Sequence, residues 1–114
     1  MDDARTFIAA LDDLEQALRA NVDRAARMQE RIVELRAAHA AGRPLREVVP
    51  QEEQPLIVRM LSESARVLDE YGSRVRRLEA RALYREGLTM DEIARLFGVS
   101  RQRVSALLRG GDGG

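Results

Sequence analysis

From Ala4 onward the chain repeats an alternation of four and three residues through Phe7, Leu11, Leu14, Leu18, Asn21, Ala25, Met28, Ile32, Leu35 and His39. Five heptads of this spacing admit one regular structure, a long helix with a continuous apolar seam. With Phe7 placed at heptad position d, Leu11, Leu18, Ala25 and Ile32 fall at a, and Leu14, Asn21, Met28 and Leu35 fall at d. Gly42 and Pro44 end the helix in the expected order, a residue that tolerates left-handed backbone and then one that cannot continue a helix. Residues 42–55 hold all three prolines and read as a connector, with room for one short turn at residues 45–49. A second series follows in Ile57, Leu61, Ser64, Leu68, Tyr71, Val75, Leu78 and Ala82, unbroken through Gly72 and Ser73, and predicts one helix from about Leu56 to Glu86.

Two long helices joined by such a connector are expected to fold back as an antiparallel, coiled-coil-like hairpin. Ile8, Ala10, Ala17 and Val22 widen the first stripe beyond a and d, and Val58, Met60, Ala65 and Val67 widen the second. A hairpin alone cannot cover both, so a second copy of the chain is the economical partner and a dimeric four-helix bundle the expected assembly. Its seam is assigned to Phe7, Leu11, Leu14, Leu18, Asn21, Met28, Ile32, Leu61 and Leu68. Asn21 in that seam either sets register, as a buried polar residue does in a coiled coil, or lies near solvent.

Composition narrows the chemistry. The 114 residues include 16 Ala, 14 Leu and three Pro, a mixture of helix formers that predicts an all-α protein. Cysteine is absent and histidine occurs once, which removes thiolate chemistry and the usual metal-ligand sets; no cofactor, metal or catalytic residue is assigned, and an enzyme is not expected. His39 sits near a helix end, where capping or packing outweighs ligation. Asp12, Asp13, Glu52 and Glu53 fall outside the apolar stripes and read as solvated. There is no apolar run long enough to span a membrane and the N-terminus opens on Asp2 and Asp3, so a cytoplasmic protein without a membrane partner is expected. The net charge of zero hides an asymmetry: residues 1–73 carry 10 Arg against 14 Asp and Glu, whereas residues 74–109 carry nine Arg against four carboxylates, about +5. Every basic residue is arginine, whose fork suits phosphates and base edges, although a GC-rich genome yields the same bias.

After Leu88 the long period gives way to a denser code, LTMDEIARLFGVSRQRVSALLR. Thr89 and Glu92 form a capping box that opens a helix over residues 90–97; Gly98 allows the left-handed turn that closes it, Val99 is expected to plug the corner into the core, and Ser100 caps a helix over residues 101–109. These residues resemble the helix-turn-helix of bacterial transcription proteins, most closely the promoter-reading fourth region of sigma factors, over residues 78–109. Ile93 and Ala94 precede Gly98, and Phe97, Val99, Val104 and Leu107 take the places where such motifs bury apolar side chains. The remainder departs from sigma factors, with no second promoter-reading region and no polymerase-binding helices. The layout as a whole looks like small helix-turn-helix regulators of actinobacterial type.

The resemblance implies double-stranded DNA as partner and residues 101–109 as recognition helix. Val104, Leu107 and Leu108 share one side of it, leaving Gln102, Ala106 and Arg109, flanked by Arg103 and Ser105, as base readers, and Ser100 and Arg101 as phosphate holders at the positive helix end. Arg74, Arg76, Arg77, Arg81 and Arg85 are candidates either for phosphate contact or for a solvated face. The expected organisation is a dimerisation module over residues 1–73, a DNA-binding domain over 74–109 and a disordered tail over 110–114. The expected function is a dimeric, sequence-specific transcriptional regulator; the alternative is a helical adaptor for RNA polymerase or another regulator, with DNA contact secondary.

Overall fold

The computed structural model describes residues 2–110; of the tail assigned to residues 110–114, all but Gly110 lies outside them. The described residues are helical apart from turns and the connector. Helix α1 spans Asp3–Ala40, a run of 38 residues, α2 Leu45–Val48, α3 Ile57–Arg85, α4 Met90–Phe97 and α5 Arg101–Leu108, with a 3-10 turn over Val49–Gln51 between α2 and α3. At ~1.5 Å per residue, α1 is about 57 Å long. It stops where Gly42 adopts φ +82°, which lets the Arg43 and Gly42 amides fold back onto the Ala38 and His39 carbonyls. His39 is exposed at this end.

Packing divides the chain into two units. In the first, residues 2–16 group with residues 69–110; in the second, residues 17–68 group together. The first grouping rests on pairs remote in sequence. In it, Arg74 donates to Asp13 at 2.9 Å and Arg85 to Asp3 at 3.2 Å, so α1 and α3 run antiparallel.

In the second unit the helices are again antiparallel. The Asn21 side-chain amide donates to the Ser64 carbonyl at 3.3 Å, and Arg31 reaches the connector, donating to the Glu53 carbonyl and, at 2.9 Å, to that of Pro55. Arg31 also faces the Glu52 carboxylate at 3.5 Å, their side chains only 7% and 5% exposed. Glu52 in turn accepts the Ile57 amide at 2.7 Å and so caps the start of α3. Glu52 is therefore a buried structural group, contrary to the solvated role expected of it. The apolar period ignored it because its partner lies on another helix. Glu53 keeps its side chain in solvent, and Asp13 is exposed but paired with Arg74.

The inward face of α1 corrects the expected register. Phe7, Leu14, Asn21, Met28 and Leu35, the d row, are half-buried as expected, but the companion row is g and not a: Ala10 and Arg31 are buried and Ala17, Arg24 and Ala38 half-buried. On α3, Ile57, Ser64, Tyr71 and Leu78 of the expected series are buried or half-buried, but Met60 and Val67 point inward in place of Leu61 and Leu68. Alanines at g let the helix backbones approach, while Arg24 and Arg31 at g find oxygen acceptors on α3 and the connector, so this side of the stripe satisfies its polar groups. Asn21 is consumed within its own chain, with its oxygen accepting from Arg24. Leu11 is half-buried, whereas Leu18, Ile32, Leu61 and Leu68 are left exposed. Among the described residues no buried side-chain nitrogen or oxygen lacks a partner, and no helix is long and apolar enough to cross a membrane.

Candidate nucleic-acid interface

The end of α3, α4 and α5 enclose one small core. Ala80 from α3, Ile93 and Ala94 from α4, and Val104 and Leu107 from α5 are buried, with Leu83, Leu88, Met90, Phe97 and Leu108 packed around them. Ala94 is the small residue that admits α5 to close range, since a longer side chain would hold the helices apart. Both ends of the turn are fixed by backbone chemistry. The Thr89 hydroxyl accepts the Glu92 amide at 3.1 Å while the Glu92 carboxylate accepts the Thr89 amide at 2.9 Å, the reciprocal pair read from the sequence. Gly98 sits at φ +67°, the Val99 amide closes the turn on the Ala94 carbonyl, and the Ser100 hydroxyl accepts the Arg103 amide at 3.1 Å to start α5. Val99 departs from expectation: it is 37% exposed and stays outside the core.

These hydrogen bonds hold the Glu92 carboxyl below the usual carboxylate range, chiefly through the Thr89 amide, then the Thr89 hydroxyl, with Arg95 adding a smaller attraction. A carboxyl depressed on folding contributes stability that is present above its unfolded pKa and is lost as pH falls through the lower folded value. Glu92→Gln, which keeps an acceptor but does not titrate, is expected to lose less thermal stability than wild type between pH 5 and pH 3, both referred to their own melting temperature at pH 5. Equal losses in parallel melting curves would remove Glu92 from the acid response.

With Val104 and Leu107 fixed inward, the rest of α5 is disposed by helical geometry. Ser100, Arg101, Gln102 and Arg109 are exposed; Arg103, Ser105 and Ala106 are half-buried. Gln102 and Arg109, two turns apart, face outward together, with half-buried Ser105 beside them; Ala106, expected to face outward with them, is half-buried. Arg109, just past the helix end, donates to the Ser105 hydroxyl at 2.8 Å, and Arg101 lies 3.9 Å from Asp91 with both side chains well exposed, an ion pair of little strength. Arg95, exposed on α4, was not singled out from the sequence. The inward set of Ile93, Ala94 and Phe97 would have placed it outward. On α3, Arg74 and Arg85 are engaged by carboxylates of α1, Arg76 is exposed with its guanidinium over Gly72, and Arg81 and Arg77 are half-buried.

The site thus offers hydrogen-bond donors and cations along one short, rigidly seated helix whose free N-terminal amides begin at Ser100. Such a helix can insert between two phosphate backbones and present planar side chains to base edges. Among the described residues no group of three or more acidic or histidine side chains is placed to hold a metal ion.

A family profile described as a homeodomain-like domain matches residues 71–113. It covers α4, α5 and the last part of α3 and supports the helix-turn-helix character of this region; the finer likeness to sigma factors rests on the sequence alone. Searches of curated proteins and of solved structures returned no match.

Proposed function

We propose that the chain is a homodimeric, sequence-specific DNA-binding regulator of bacterial transcription in which α5 enters the major groove. The observation that carries this reading is the outward stripe of Gln102 and Arg109, with Arg101 and Ser100 at the helix start, seated on the buried Ile93–Val104 core. Gln102 pairs with adenine in a bidentate manner, Arg109 leaves Ser105 to pair with guanine, and the partly shielded Ala106 methyl and the Ser105 hydroxyl border the same bases. Arg101 and Ser100 hold phosphate, and Arg103 follows the backbone alongside. If the dimer is two-fold symmetric, its operator is an inverted repeat with half-sites separated by about 10 bp or a multiple of it.

Footprinting on a selected site tests the assignment. Gln102→Ala and Arg109→Ala are each expected to cost on the order of 1–3 kcal/mol and to relax preference at one base position. Arg101→Ala is expected to weaken all sequences alike and to lower the salt dependence of binding by about one unit of log–log slope. Unchanged affinity and unchanged preference in the first two variants would show that α5 is not the reader, and an adaptor that binds RNA polymerase or another regulator through the long helices would take its place.

A further inference from the structure

The register of the second unit leaves apolar surface with nothing of its own chain to cover it. On α1, positions 18, 22, 25, 29 and 32 are Leu, Val, Ala, Gln and Ile; on α3, positions 58, 61, 65 and 68 are Val, Leu, Ala and Leu. None carries a charge. The six large residues are 37% (Ile32) to 68% (Val22) exposed. Both rows are displaced from their seams in the same rotational sense, from d through a toward e. An antiparallel pair has a two-fold axis perpendicular to the plane of its helices, and that axis carries one such row onto the other, so both lie on a single broad face.

We infer that this face of residues 17–68 is the surface on which a second copy of the chain docks, with the two-fold axis of the dimer running through it. The inference rests on the dimeric reading above and specifies which surface makes the dimer. What points to a second copy is the area this face offers, set against what a stable dimer buries. The six side chains expose on the order of 500 Å² of apolar surface, the size of the largest patch an ordinary monomer tolerates. With Ala25, Gln29, Ala65 and a polar rim, the face approaches the ~800 Å² per partner typical of a stable complex. The opposite broad face, with Asp23, Arg27 and Glu30 on α1, is charged and has no such rows.

Sedimentation equilibrium on the full chain decides the matter. Wild type is expected at twice the 12.8 kDa chain mass at micromolar concentration. Val22→Glu and Leu61→Glu, both at positions exposed within the chain, are expected to keep wild-type helicity by circular dichroism while raising the dimer dissociation constant by at least about 100-fold. Because the chain has no cysteine, single substitutions report proximity directly: Val22→Cys and Leu61→Cys are expected to cross-link with a short bis-maleimide, and Asp23→Cys is not. A monomeric wild type overturns both the dimer and this surface, leaving the face to another protein. A dimer that persists in folded Leu61→Glu and Val22→Glu, or that cross-links through Asp23→Cys alone, leaves the dimer standing and overturns the surface. If the glutamate variants fail to fold, the cysteine pattern decides alone.

Discussion

Arg31→Ala is expected to destabilise the chain by about 3–5 kcal/mol, more than the loss of any exposed ion pair here, in denaturant titrations at fixed protein concentration. The guanidinium is almost fully enclosed, donates to two carbonyls of the connector and faces Glu52. Its removal takes the donor from two connector carbonyls and strands the buried Glu52 carboxylate. Glu52 is also the cap of α3, so the same change loosens the helix start through the Ile57 amide. The paired change Arg31→Met with Glu52→Leu is expected to cost less than Arg31→Ala alone, because the largest part of the penalty is an unpaired buried charge and not the lost attraction. A loss below 1 kcal/mol in the single variant would show that water reaches the site.

Ile93→Ala is expected to cost about 2–5 kcal/mol and to abolish specific DNA binding. Ile93 is wholly buried and touches a core with only four other buried members, so the cavity has few neighbours able to collapse into it. Since that core alone orients α5 against α4, a loosened Ile93 site releases the helix that carries Gln102. Leu96→Ala, three residues along but 66% exposed, is expected to change stability by less than about 0.5 kcal/mol. Hydrogen exchange of the Val104 and Leu107 amides separates the two outcomes, and retention of protection in Ile93→Ala would refute the argument.

The two modules differed in how far they could be read from sequence, for a physical reason. The helix-turn-helix is written in local code: a capping box three residues wide, a left-handed glycine, a serine cap and an apolar set within 30 residues. Its helices appear within a residue of their expected ends. Val99, which stays at the rim, and Ala106, which is half-buried, were misplaced. The long helices were equally legible as helices, yet their facing was not. An apolar stripe broader than a seam leaves two choices of companion row. The choice went to g because Arg24 finds the Ser64 hydroxyl on α3 there and Arg31 finds carbonyls on a connector whose path no heptad encodes. The exposure of Gln102 and Arg109 followed from periodicity, that of Ala106 did not; the engagement of Arg74 and Arg85 was not legible, since their partners lie 61 and 82 residues away.

Those two remote pairs alter the electrostatics of DNA approach. The C-terminal third taken alone carries about +5, but it folds together with the first residues of α1. The described residues of that unit hold ten arginines against eleven aspartates and glutamates, a net charge of −1. At separations beyond a Debye length, about 8 Å at physiological salt, a duplex therefore meets a body close to neutral and gains little acceleration from attraction. Only within that distance do the individual arginines of α5 register. For the reader helix proposed above, encounters are then sorted at contact rather than gathered from afar, because the long-range field has been cancelled from inside the same folded unit.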